Sequence, residues 1–264
     1  MRVLLGFVRT AFRDAAIYRV DFWLGLLSAC FVMYAVASIW SLLYQQSPGA
    51  FGVSRDQMMT YAVLGVVLSP VMWTANQVRT YIAGQVRSGS LEIDLMKPLD
   101  FMLHMLVRNV GEVAVMLVLR SLPGFLFAYL VLRIGLPTSA SSAAAFGVSV
   151  VLGYLVAFGI SFLIGLLSLV THDIRSYTWA FNAIIRFASG EAIPLWLFPP
   201  VLGAVVATLP FQAMYFMPMS IYVGAAPQSL AGTLGAQLLW VVGVLLLCRL
   251  AWWRCQRRVV VQGG

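Results

Sequence analysis

S-A-A-A-F-G-V-S-V-V-L-G-Y-L-V-A-F-G-I-S-F-L-I-G-L-L-S-L-V, residues 142–170, carries no charged side chain from end to end. About twenty apolar residues are enough for a helix to cross the hydrocarbon of a bilayer, so this run reads as a membrane span. Four more long apolar runs occur, Phe22–Tyr44, Met58–Val78, Gly111–Leu132 and Leu230–Trp252, with Glu112, Arg120 and Arg249 as their charged residues. Between residues 170 and 230 the chain stays apolar, but Gly190, Pro194, Pro199, Pro200, Pro210 and Pro218 interrupt it. Proline removes a backbone donor and clashes with the preceding turn, so no single straight helix fits there. Broken backbone at membrane depth is tolerated only where protein or a wet cavity satisfies it. Residues 177–224 therefore read as one crossing followed by short re-entrant helices.

Composition agrees. Hydrophobic residues make up 61% of the 264 and charged residues 10%, against roughly 45–50% and about 25% in soluble domains. The length suits one membrane domain, residues 1–264, with no separate soluble module. The formal charge of +8 comes from sixteen arginines and Lys97 against nine acids, and the arginines sit between apolar runs. That layout is not the dense basic stripe of a nucleic-acid binder. Membrane lipid is the expected partner, and nucleic acid is not.

Arginine placement sets the orientation, because cytoplasmic segments retain the excess of positive charge. Arg2, Arg9, Arg13 and Arg19 precede the first span. Arg79, Arg87, Lys97 and Arg108 lie between the second and third, and Arg249, Arg254, Arg257 and Arg258 end the chain. The opposite side holds only Arg55 and Arg133. Both termini are then cytoplasmic, which requires an even number of crossings. Six result, with the broken segment fifth. The expected fold is all-α and integral to the membrane. Ala35-Val36-Ala37 imitates a signal cleavage site, but hydrophobicity continues to Tyr44 and the first span reads as uncleaved.

Residues 1–20 place Leu4, Leu5, Val8 and Phe12 at helical spacing, as an amphipathic interfacial helix does; a simple topology anchor is the alternative. Ala145, Ser149, Gly153, Ala157, Ser161 and Gly165 recur every fourth position, which lets another helix approach closely. That partner is either within the chain or a second copy. Glu112, Arg120 and Glu191, the last following Arg186, fall at membrane depth, where charge marks a cavity or a partner; snorkelling of Arg120, or pairing that simply holds helices together, is the alternative.

Catalytic and nucleotide-binding patterns are missing from the sequence. The single lysine follows Met96, so there is no Gly-Lys-Ser/Thr phosphate loop, and G-x-S-x-G and H-E-x-x-H are absent. Cys30, Cys248 and Cys255 have no metal spacing. No enzyme activity, cofactor or metal is expected in this chain. Residues 79–108 are long for a simple hairpin and contain short helical pieces around Leu91–Leu95, suited to docking a soluble partner; a solvated interfacial loop is the alternative.

Three elements resemble the bacterial ABC type-2 exporter permeases: G-S-L-E-I-D-L-M-K-P-L (Gly89–Leu99), F-A-S-G-E-A-I-P-L-W-L-F-P (Phe187–Pro199) and L-P-F-Q-A-M-Y-F-M-P-M-S-I-Y-V-G (Leu209–Gly224). They stand in family order and, with six spans, cover essentially the whole chain. The likeness is to small permease subunits of the antibiotic- and drug-export type. It implies a location in the bacterial cytoplasmic (inner) membrane, two copies of a separate ABC ATPase that carry ATP and magnesium, and a second permease, identical or related. It also implies a coupling helix at Gly89–Pro98, with Leu91 and Leu95 as apolar plugs. Glu92 and Asp94 would face basic groups on the ATPase, and Lys97 an acidic one. His172 and Asp173 are a second contact candidate, with a plain polar turn as the alternative. Pro194, Trp196, Phe198, Phe211 and Tyr215, with Phe216, would shape an outer gate; aromatic anchoring at the interface is the alternative. An acidic cavity at Glu112 or Glu191 would favour a cationic substrate. A secondary transporter or channel working alone is the competing class.

Overall fold

The computed structural model describes residues 19–46, 51–171 and 175–259, and these are helical throughout with short connections. The expected helix over residues 1–20 lies almost wholly outside the described residues, as do His172 and Asp173. Among the described residues, five helices are long and apolar enough to cross a membrane. They are α1 (Arg19–Gln46), α2 (Arg55–Ser88), the composite α4–α5 (Phe101–Leu130), α6 (Ala140–Thr171) and α10 (Leu230–Val259). No single helix supplies the sixth expected span.

Each boundary has a local cause. Ser54 and Gln57 form a reciprocal cap at the start of α2, the Ser54 hydroxyl accepting from Gln57 N and Gln57 Oε1 from Ser54 N. The helix ends at Gly89, whose φ of 69° is left-handed and suits glycine. It therefore runs well past Val78, the expected end of the second span. The next helix to cross begins at Phe101, capped by the Asp100 carboxylate, which accepts from Leu103 N. The segment between spans narrows from the expected 79–108 to 89–100, because helix continues beyond the apolar stretch at both ends. Within 89–100 lies α3 (Leu91–Leu95). The third span is α4 (Phe101–Met116), a wide π turn (Leu117–Ser121) and α5 (Leu122–Leu130). Pro123 lacks the N–H that a regular turn would donate, and the helix widens just before it.

The core is built around α2 and α6, the most enclosed helices. They run antiparallel. Gly135 N donates to Thr60 Oγ1 near one end, while Gly165 faces Arg79 and Ile82 towards the other. The small-residue stripe of α6 is buried along its whole length. Its neighbours come from the same chain: a Cβ on Gly153 would sit 2.7 Å from the Ala213 carbonyl oxygen, and one on Gly165 2.9 Å from Ile82. The stripe is filled by intramolecular packing and is no seam for a second copy. Helix α10 runs parallel to α6. Gln237 meets Ser149 near their beginnings, and Cys248 Sγ reaches Gly159 O further on.

Because α6 and α10 start at the same end, residues 175–229 must return the chain across the bundle. They do so in pieces. Helix α7 (Arg175–Ala188) is strongly amphipathic and runs antiparallel to α2, from Asn182 beside Arg79 to Gly190 beside Tyr61. Phe216 N donates to Ser189 O at 2.9 Å, so α9 (Phe216–Tyr222) resumes where α7 stops. Val223 O then accepts from Gln57 Nε2 at the start of α2. The intervening 190–215 is an inserted excursion: a single turn at Leu195–Leu197, α8 (Pro200–Ala207) and a turn at Pro210–Ala213. The break thus falls within the return path, whereas re-entrant pieces were expected after it. Gly190 has a φ of 78°, and a Cβ there would lie 2.8–2.9 Å from Leu195, Phe216 and the Tyr61 hydroxyl. Both constraints require glycine.

Candidate functional site

Three features gather the chemistry. The first is α3, at the end of the bundle where α2 terminates and α4 begins. A helix of this length offers one inward face, and Leu91 and Asp94 occupy it; both are buried. The Asp94 carboxylate accepts from Tyr81 Oη at 2.7 Å, Gln85 Nε2 at 3.0 Å and Lys97 Nζ at 2.6 Å. Burial works against its charge, but the hydrogen bonds from Lys97, Gln85 and Tyr81 outweigh this and hold its pKa below the ordinary value. Asp94 therefore fastens α3 to α2 and does not face outward, as the sequence reading had it. Leu91 likewise packs into the core. Outward stand Glu92, Ile93, Leu95, Met96, Lys97 and Pro98, with Met96 83% and Ile93 64% exposed. Ile93 and Met96 were not singled out from sequence; their signal is the helical offset from Leu91, since residues opposite a buried leucine must point away.

Further polar contacts extend from this point into the bundle. The Arg108 guanidinium lies 3.7 Å over the Tyr81 ring. On α4, Asn109 Nδ2 donates to Thr74 O and to Glu112 Oε2, both at 3.0 Å, and the Tyr154 hydroxyl donates to Asn109 Oδ1. Glu112 belongs to this network. Arg120 does not: on the wide turn it reaches Gly25 of α1, with Nη2 2.7 Å from where a Cβ would be.

The second feature lies where α2, α6 and α7 meet. Glu191 is buried and paired with the exposed Arg186, Oε2 to Nε at 3.3 Å. Trp73, Asn76, Ser161, Asn182 and Tyr215 join this pair around a cavity of about 20 Å³. Below it Arg79, 3% exposed, donates from Nη2 to Asn182 Oδ1 at 2.7 Å. Its Nε and Nη1 have no hydrogen-bond partner among the described residues.

The third feature is a lateral groove of about 430 Å³ between α7 and α10, floored by α6. Ile160, Leu163, Leu167, Phe181, Val244 and Leu247 contribute to it, and Pro210 and Phe211 close it at mid-depth. The remaining expected gate residues scatter. Trp196 packs edge-on to Tyr61, centroids 4.9 Å apart, and against Phe216. Phe198 stacks on Phe187, and Pro194 is buried. Of the expected path, Glu191 and Tyr215 share a site, Phe211 lines the groove, and Glu112 and Arg120 stand apart from both.

The described residues are all-helical, with five helices long and apolar enough to cross a membrane, as suits a multi-pass membrane protein. The family model described as ABC-2 family transporter protein matches residues 30–263, and the chain belongs to that family. No curated protein matches the sequence.

Proposed function

We propose that this chain is the membrane-spanning permease subunit of an ATP-driven exporter, coupled through α3 to a separate ATPase. One observation carries the reading: α3 is fastened to α2 by the buried Asp94 while presenting Glu92, Ile93, Leu95 and Met96 outward. A short helix with a fixed inner face and a free apolar-acidic outer face transmits a push from a bound partner into the long helix behind it. The chain crosses six times. The fifth crossing is α7 and α9 together, whose 14 and 7 residues amount to roughly 30 Å of helix, the thickness of the hydrocarbon. Both termini then lie on the cytoplasmic side of the bacterial inner membrane, with α3.

Two ATPase copies, carrying ATP and magnesium, act beneath a pair of permeases, identical or related. The cargo is a drug, antibiotic or other amphiphile. Reconstituting the chain with an ABC ATPase from its native host tests this reading. Export of a fluorescent amphiphile that requires ATP and is lost in Ile93→Asp supports it. Equal flux from the chain alone, without ATP, assigns it instead to the self-contained transporters.

A further inference from the structure

From the sequence, an acidic cavity at Glu112 or Glu191 would favour a cationic substrate, but the charges at the Glu191 junction add up the other way. Glu191 is already neutralised by Arg186. Among the described residues Arg79 has no carboxylate partner; its side-chain bond is to the neutral Asn182, and two of its nitrogens are left unmet. A guanidinium cannot shed its proton to escape the cost of burial, and an isolated buried charge is costly unless an opposite one joins it. Arg79, enclosed by protein, thus keeps an unbalanced positive charge against Asn182, which lines the same cavity as the Arg186–Glu191 pair. The Tyr215 hydroxyl on the cavity wall, beside the Trp73 indole, makes no well-formed hydrogen bond and is a further available donor.

The junction also adjoins an apolar volume. Ile160 lines both the polar cavity and the lateral groove. On α7, Phe181 faces the groove and the next residue, Asn182, faces the cavity. Arg79 sits level with Gly165, within the stretch of α6 from Ile160 to Val170 that floors the groove. The groove's volume falls within the ~300–1,000 Å³ of small-molecule sites, whereas the cavity is sized for water. Helix α7 stands off from α2 and α6 more than these do from each other, and polar contacts at Asn182 hold it over Arg79. A modest outward movement of α7 would merge the two spaces.

We infer that this junction is a binding site for an anionic amphiphile, its alkyl chain in the α6–α7–α10 groove and its phosphate or carboxylate on Arg79 and Tyr215. This deepens the export reading and rests on it for the direction of movement. The site itself is tested on the full-length chain in nanodiscs of zwitterionic lipid, with dodecyl phosphate, dodecyltrimethylammonium and dodecyl maltoside as probes of equal chain length. Dodecyl phosphate is expected to raise the melting temperature at concentrations about tenfold lower (~1.4 kcal/mol) than the other two. Arg79→Gln abolishes that preference and Arg79→Lys retains most of it. Should Arg79→Gln not fold, Tyr215→Phe and Ile160→Trp each weaken the dodecyl phosphate response. An equal or stronger response to dodecyltrimethylammonium overturns the inference, as does an unchanged dodecyl phosphate response in all these variants. Repeating the titration with the ATPase bound separates the two readings. Anion preference without any ATPase coupling keeps the site and removes the exporter; coupling without anion preference does the reverse.

Discussion

Replacing Asp94 by alanine should release α3 from the bundle while leaving the spans intact. The carboxylate takes hydrogen bonds from Tyr81, Gln85 and Lys97. Bonds to a charged acceptor contribute about 1.5–3 kcal/mol each when buried. Because Tyr81 and Gln85 are only half-buried, about 1–2 kcal/mol each is appropriate for their bonds. The Lys97 pair adds little, because its ammonium is 42% exposed and solvent screens it. The expected loss is therefore about 2–4 kcal/mol in the local opening of α3, or a rise of roughly 30- to 700-fold in amide exchange. Hydrogen exchange read by mass spectrometry on peptides covering 89–100 measures this, with peptides from α6 as the internal control. A depressed carboxylate pKa stabilises the folded form above its unfolded pKa, and that stability is lost as pH falls through the folded value. Docking of α3 in the unmodified protein should thus weaken only below the ordinary carboxylate range. Unchanged exchange at 89–100 in Asp94→Ala, or exchange rising equally in α6, would refute the clasp.

Two further substitutions probe the packing that positions these features. Gly153→Val brings a side chain to within 2.7 Å of the Ala213 carbonyl and 3.0 Å of the Met214 carbonyl; overpacking against backbone should cost about 1–3 kcal/mol and lower the apparent melting temperature. Gln237→Leu removes the bonds from Ser149 Oγ and to Ser149 O and Ala213 O. At about 0.6 kcal/mol for each membrane hydrogen bond, the loss is about 2 kcal/mol, read by thermal unfolding in nanodiscs.

Much of this architecture follows from apolar length alone. The five long helices coincide with the five uninterrupted runs, because a spanning helix needs an unbroken apolar face. Proline spacing announced the broken return path but not its form. That α9 resumes beside Ser189 depends on a contact between residues 27 positions apart, which no local pattern encodes. At α3 the sequence marked a short helix that the structure has, but put Leu91 and Asp94 on its outward face when both are buried. Five residues are too few for periodicity to orient a helix, and Asp94 turns inward because Tyr81 and Gln85 wait on an extension of α2 that reads as loop. Glu191 signalled a charged site, but the sequence did not show that Arg186 pairs with it while Arg79, elsewhere on α2, has no carboxylate partner among the described residues.

The central claim is that an ATPase docks on the outward face of α3. Affinity capture of the tagged chain from its native host, with mass spectrometry of what it retains, tests this most directly. An ABC ATPase should be held by the unmodified protein and lost when Glu92, Ile93 and Met96 are changed together to residues of opposite character. Recovery of the chain without any ATPase, or an ATPase retained undiminished by that triple variant, would contradict it.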